Sequence, residues 1–196
     1  MNPQVATLID KMRSLEAELE AELAKHRAEL RVGLEKGRAI FEDEILRRHR
    51  ELRTRLSTYI LAARPLVVIT APVIYSVIVP RVLLDLFITV YQAVCFPVYG
   101  IPKVRRRDYL VFDRHHLAYL NALEKLNCAY CSYANGLIAY VREIASRTEQ
   151  YWCPVKHARR LIGAHTYYAA FEDYGDAEGY RRRLEELRKT SAGMQE

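Results

Sequence analysis

The chain has 196 residues, of which 51% are hydrophobic, and carries 30 lysines and arginines against 24 acids for a formal charge of +6. That length allows one sizeable domain or two small ones. The basic excess does not mark a nucleic-acid binder, because residues 1–56 nearly balance 12 basic side chains with 11 acidic ones and the chain has no zinc-finger helix pattern or single-stranded-binding motif.

Met1 to Asp10 lacks a basic start followed by an apolar core and a small-residue cleavage site, so no signal peptide is expected there and the N-terminus is expected to stay in the cytoplasm. From Leu8 the apolar residues recur every eleven positions. Two columns persist through five repeats, Leu8, Leu19, Leu30, Phe41, Leu52 and Met12, Leu23, Leu34, Ile45, Leu56, while a third decays from Leu15 through His26, Gly37 and Arg48. Eleven residues in three turns lies close to the natural helical period, which predicts a nearly straight helix of some 50 residues and roughly 75 Å. So long a helix with so narrow a stripe needs a partner, and mixed charges around the stripe favour pairing with a copy of itself through residues 8–56.

Pro65 to Ile101 carries only two charges, Arg81 and Asp85. It divides at Pro80-Arg81 into an uncharged arm of 16 residues and a 20-residue arm whose only charge is Asp85. A span needs about 20 apolar residues, so the arms predict a Pro-rich membrane hairpin that either crosses twice or re-enters, with Arg81 and Asp85 neutralising each other four residues apart. Prolines 65, 72, 80, 97 and 102 are tolerated in kinked membrane helices. Arg53, Arg55 and Arg64 precede the stretch, and Lys103, Arg105, Arg106 and Arg107 follow it, so the positive-inside rule places both ends on the cytoplasmic side of an inner or plasma membrane. The arginines at 105–107 suit anionic headgroups.

Beyond Asp108, helices are expected from about Arg114 to Tyr133, Leu137 to Arg147, Pro154 to Phe171 and Asp176 to Lys189. Asn135-Gly136 reads as a turn or helix end, and Asp173 to Asp176 as a turn before the last helix. Ten tyrosines between Tyr109 and Tyr180 suit a membrane interface or a core.

Cys128-Ala-Tyr-Cys131 and Cys153-Pro-Val-Lys-His157 are the strongest chemical signal. Three thiolates and an imidazole suit a tetrahedral structural zinc, with an iron-sulfur cluster as the alternative on ligand type. A regular helix between the two pairs would carry them apart, so the intervening chain must return or a second subunit must contribute. Cys128 and Cys131 are also a candidate thiol oxidoreductase pair, provided that Asn127 caps a fresh helix and gives Cys128 an N-terminal position. His115, His116 and His165 are weaker candidates for ligands or a proton relay. Glu-x-x-His pairs, phosphate-binding glycine loops and nucleophile elbows are absent, and no small-molecule substrate is indicated.

The sequence thus predicts an all-α chain in three parts: a hendecad, coiled-coil-like stalk at 1–57, a membrane hairpin at 58–102 and a cytoplasmic Cys/His module at 103–196. The function expected is a non-catalytic organising or accessory role at the cytoplasmic face, oligomeric, with Cys128, Cys131, Cys153 and His157 holding zinc. The alternatives are membrane-associated iron-sulfur electron transfer and thiol oxidoreduction.

Overall fold

The structure, a computed structural model, describes residues 3–29, 32–35, 38–41 and 43–193. It is mostly helical: α1 (Pro3–Glu29), a hairpin of β1 (Val32–Glu35) and β2 (Arg38–Phe41), α2 (Asp43–Glu51), α3 (Leu56–Leu61), α4 (Pro65–Ser76), α5 (Ile78–Tyr99), α6 (Ala122–Trp152) and α7 (Ala177–Gly193). Two compact units are formed, one by residues 1–68 and 112–129, the other by 69–111 and 130–196.

In the first unit the eleven-residue repeat does not build one long rod. α1 ends at Glu29, and the strands follow in antiparallel register, Val32 opposite Phe41 and Glu35 opposite Arg38. Leu34 and Phe41, both members of the repeat columns, therefore lie in strands, while Leu30 and Gly37 fall outside the described residues. Gly33, within β1, favours the interruption, since a glycine costs a helix interior about 1 kcal/mol relative to alanine. Leu8, Met12, Leu15, Leu19 and Leu23 line α1 and are all exposed. His49 meets Tyr119 edge to face at 5.1 Å, but no apolar side chain among the described residues of this unit is buried.

The core lies in the second unit, where Phe96, Ile101, Val104, Leu110, Leu137, Tyr140 and Ile144 cluster. Three segments build it. α5 and α6 run parallel, because the contacts Arg81 with Tyr130, Asp85 with Tyr133, Gln92 with Tyr140 and Tyr99 with Tyr151 advance together along both helices. Parallel neighbours need a returning connection, and residues 101–111 supply it by running the opposite way between them. Pro102 meets Arg147, Val104 meets Gln92, and Arg106 meets Asp85.

The reversal expected at Pro80-Arg81 does not form. Pro80 has no N–H for the Ser76 carbonyl, so the helix is interrupted just before it. The turn falls at Val77, whose N–H reaches Ile74 O at 3.3 Å, and Pro80 sits in the first turn of α5, where its missing donor is tolerated. Val77 keeps helical dihedrals (φ −65°, ψ −12°), and the chain continues forward. α5 ends at Gly100, which is left-handed (φ 69°), with the Ile101 N–H returning to Phe96 O at 2.9 Å. That six-residue closure is the Schellman pattern.

α6 begins on a reciprocal cap: Glu124 N–H donates to Asn121 Oδ1 at 3.0 Å and Asn121 N–H to Glu124 Oε2 at 2.8 Å. It then runs unbroken for 31 residues, through the turn expected at Asn135-Gly136. Gly136 is a notch rather than an end, because a Cβ there would lie 2.5 Å from the Tyr109 carbonyl oxygen and 3.2 Å from Leu110 Cα.

The helix expected over Pro154–Phe171 is instead a long loop. A parallel bridge joins Val155 to Glu172, closed by Lys156 N–H to Glu172 O at 2.8 Å and Glu172 N–H to Pro154 O at 3.0 Å. The turn at 173–176 forms as expected, with Gly175 at φ 92° and Asp176 Oδ1 accepting from Gly179 N–H at 2.8 Å to start α7. α7 docks where the Arg188 guanidinium lies over the Tyr151 ring at 4.9 Å.

Candidate membrane-facing helix and the cysteine and histidine groups

Pro65–Tyr99 reads as one 35-residue helical stretch, long and apolar enough to span a membrane, and none of its most apolar 18-residue window is buried in the protein. Its part within the second unit has two unlike faces. Ile78, Arg81, Asp85, Ile88, Gln92, Phe96 and Tyr99 recur at steps of three and four and are covered or half-covered. Ile69, Val73, Val79, Leu83, Phe87, Val90, Val94 and Val98 are all exposed, Phe87 at 70% and Val98 at 77%. This distribution inverts that of a helix on a water-soluble core, which turns its apolar side inward.

Every polar group of the covered face has a partner. Gln92 is buried and saturated: its Nε2 donates to Tyr140 Oη at 2.8 Å and to Val104 O at 3.3 Å, and its Oε1 accepts from Val104 N–H at 2.6 Å. Asp85 does not pair with Arg81. It accepts from Arg106 Nε at 3.3 Å and from the adjacent Nη2, both on one edge of the guanidinium, and from Tyr133 Oη at 3.0 Å. The hydrogen bond to Asp85 raises the Arg106 pKa, and burial, aided by Asp85, raises that of the Tyr133 phenol. Arg81 turns to Tyr130, donating to its hydroxyl at 2.6 Å and lying 5.1 Å from its ring centroid. A charge paired in this way costs far less to desolvate than a free one.

The Cys/His set is dispersed. Cys128 sits in the second turn of α6 and Cys131 one turn further, with the Cys131 side of the helix exposed. Cys153 follows the far end of the same helix, about 30 Å along the axis from Cys131 at 1.5 Å per residue. Zinc–sulfur bonds of about 2.3 Å would require thiolates a few ångströms apart, so a single chain does not fit zinc or an iron-sulfur cluster at these four residues. Among the described residues no group of three or more His, Cys, Asp or Glu is placed to hold a metal. His157 lies in the loop, not one helical turn from Cys153, and its backbone N–H donates to Tyr168 Oη at 2.7 Å. The thiol pair also lacks its premise, since Asn121, not Asn127, caps α6. Burial, and then the charge of Glu149, raise the pKa of the Cys153 thiol, which disfavours the thiolate.

A polar cluster not expected from the sequence fastens the loop onto α6. Glu143 Oε1 accepts from Arg147 Nε at 2.8 Å and from Tyr167 Oη at 2.7 Å, while Arg147 also donates to Pro102 O at 2.7 Å. His165 Nε2 lies 3.0 Å from Glu149 Oε2 with its Nδ1 buried and unpartnered, and Arg142 donates to Gly163 O and Ala164 O. Burial and the hydrogen bond to Glu143 raise the Tyr167 pKa. In the sequence, only the one-turn spacing of Glu143 and Arg147 and the two-turn spacing of Arg142 and Glu149 hinted at this cluster. His115 and His116 lie in an exposed turn of 3-10 helix with ring centroids 3.8 Å apart.

In comparisons with known proteins, no family model, curated protein or solved structure matches this chain.

Proposed function

We propose that the chain is a membrane-anchored organising or accessory protein of the cytoplasmic face that self-associates through α1. The carrying observation is the uncovered apolar face of α4–α5, whose only charges turn to partners on the opposite side. Burying apolar side chains is worth roughly 25 cal/mol per Å², so a face this continuous is expected to find a non-aqueous neighbour. The exposed basic residues Lys103, Arg105 and Arg107 beside it suit anionic headgroups. Self-association is supported by the exposed leucine and methionine stripe of α1, which is helical over Pro3–Glu29 and therefore reaches about 40 Å.

Zinc and iron-sulfur chemistry form no part of this reading, because the donors of one chain are too far apart. Catalysis by Cys128 and Cys131 is also left out, for want of a helix N-terminus at Cys128.

Fractionation of cells expressing the full chain tests the anchor. The protein is expected in the membrane pellet, retained in high salt and released by detergent. Recovery in the soluble fraction at low salt would refute it. Leu19→Glu, within α1, is expected to reduce the oligomer to a smaller species in detergent; an unchanged mass would refute pairing through α1.

A further inference from the structure

Resting on the membrane anchoring proposed above, we infer that α4–α5 lies along one leaflet as an in-plane helix, with its Ile69–Val98 ridge in the acyl region, instead of crossing the bilayer. The occupant of the ridge is lipid, and the contact is lengthwise.

The positions of the charges carry this inference. A crossing needs a slab of about 30 Å free of uncompensated polar groups on every side of the helix. Ile69 to Val98 spans about 44 Å at 1.5 Å per residue, and its midpoint lies between Arg81, held by Tyr130, and Asp85, held by Arg106. Pro65 to Pro80, the uncharged run before that midpoint, is 16 residues and about 24 Å long, which falls short of a span. After the midpoint the returning segment lies alongside, bringing Lys103 and Arg105 to the level of Gln92, where Val104 binds it. Farther on, Arg147 lies beside Pro102 on the same side. A transmembrane pose would therefore hold arginines, a lysine and a free-running backbone in hydrocarbon.

An in-plane pose meets no such obstacle. Along the ridge, positions 69, 73, 76, 80, 83, 87, 90, 94 and 98 follow the helical period, and all are apolar except Ser76, whose hydroxyl donates to Val73 O at 2.8 Å. The ridge presents no unpartnered hydrogen-bonding side chain, whereas the face behind it holds the buried Gln92 and the charged returning segment. Interfacial helices bury their apolar side about 5–10 Å into the headgroup and acyl boundary, which the division of faces along α5 permits. A protein partner would be expected to meet hydrogen-bonding groups along such a surface, roughly one bond per 100–200 Å², and the ridge offers none. Exposed Lys103, Arg105 and Arg107 supply positive charge for anionic headgroups.

Depth measurement tests the pose. The chain has one tryptophan, so Trp152→Phe frees the fluorescence channel, and Ile69→Trp, Leu83→Trp or Val98→Trp then places a single reporter on the ridge. Each full-length variant is reconstituted into vesicles of phosphatidylcholine and phosphatidylglycerol carrying bromine at a shallow or a deep acyl position. Circular dichroism verifies helicity, and Val73, Phe87 or Val94 replaces any site whose variant loses it. The in-plane pose predicts that all three reporters are quenched alike and more strongly by shallow bromine. Deep quenching at residue 83 with shallow or absent quenching at 69 and 98 would overturn the pose while leaving the anchor intact. Failure of every variant to enter vesicles would overturn the anchor as well, and a larger self-associated species in that case would assign the ridge to a second copy of the chain.

Discussion

Arg106 holds Asp85 in a two-point contact, Nε to one carboxylate oxygen and Nη2 to the other, joining the returning segment to the middle of α5. The carboxylate is nearly covered and the guanidinium half-exposed, with 13% and 49% of their side chains accessible, so solvent screening reduces but does not abolish the interaction. A double-mutant cycle of Asp85→Asn and Arg106→Gln, followed by unfolding in detergent, is expected to give a coupling of about 1 kcal/mol, below the range for a buried charged hydrogen bond because the guanidinium is half-exposed. Additive single effects would show that the two residues do not support each other.

Gly136→Ala separates a helix end from a packing notch. On an unobstructed helix the change stabilises by about 1 kcal/mol. With the Tyr109 carbonyl oxygen 2.5 Å from the new Cβ, the returning segment must move, and a destabilisation of about 1–3 kcal/mol is expected. Chemical unfolding of the two proteins reads the sign directly, and a more stable variant would mean that Tyr109 does not lie against α6.

Metal content follows from the length of α6. Protein purified under reducing conditions is expected to contain neither zinc nor iron in stoichiometric amount, and Cys153→Ala is expected to leave its metal content unchanged. Stoichiometric metal that is lost in Cys153→Ala would show that donors from two chains meet.

The Cys153 thiol is expected to show a pH dependence, although the residue as a whole is exposed. Its folded pKa lies above its unfolded value because burial and Glu149 disfavour the thiolate. The neutral thiol is thus favoured by folding, and that contribution to stability is fully present below the unfolded pKa and is lost as pH rises through the folded one. Alkylation of Cys153 near neutral pH is expected to be slower in the folded chain than in the denatured chain, with the difference closing only at alkaline pH. Faster alkylation in the folded chain would contradict this environment.

Helical character, the apolar block and the turn at 173–176 were legible because each has a local cause: periodicity, composition, and the conformational freedom of Gly175 (φ 92°). Where the reading failed, a tertiary contact or a single backbone group decided. Asn135-Gly136 looked like punctuation, yet the glycine makes room for the Tyr109 carbonyl from a distant segment. Pro80 looked like the apex of a hairpin, but a proline in the first turn of a helix breaks only the turn before it. The repeat columns concealed the cost of Gly33, since periodicity counts apolar positions and ignores the backbone between them. Arg81 and Asp85 were correctly placed on one face, though the face served Tyr130, Tyr133 and Arg106 instead of a mutual pair. The Cys/His spacing was clear in the sequence, but spacing says nothing about distance once Cys131 and Cys153 lie at opposite ends of one helical run.

Vesicle flotation tests the central claim, that the exposed ridge of α4–α5 is the membrane anchor, most directly. Full-length protein and the double variant Leu83→Arg, Phe87→Arg, both altered residues being exposed and away from the core, are mixed with phosphatidylcholine–phosphatidylglycerol vesicles and floated in high salt. The unaltered chain is expected to float with the vesicles, and the equally helical double variant to remain at the bottom, since two arginines replace the apolar side chains that hold the ridge in the acyl region. Flotation of both proteins alike, or of neither, would contradict the account.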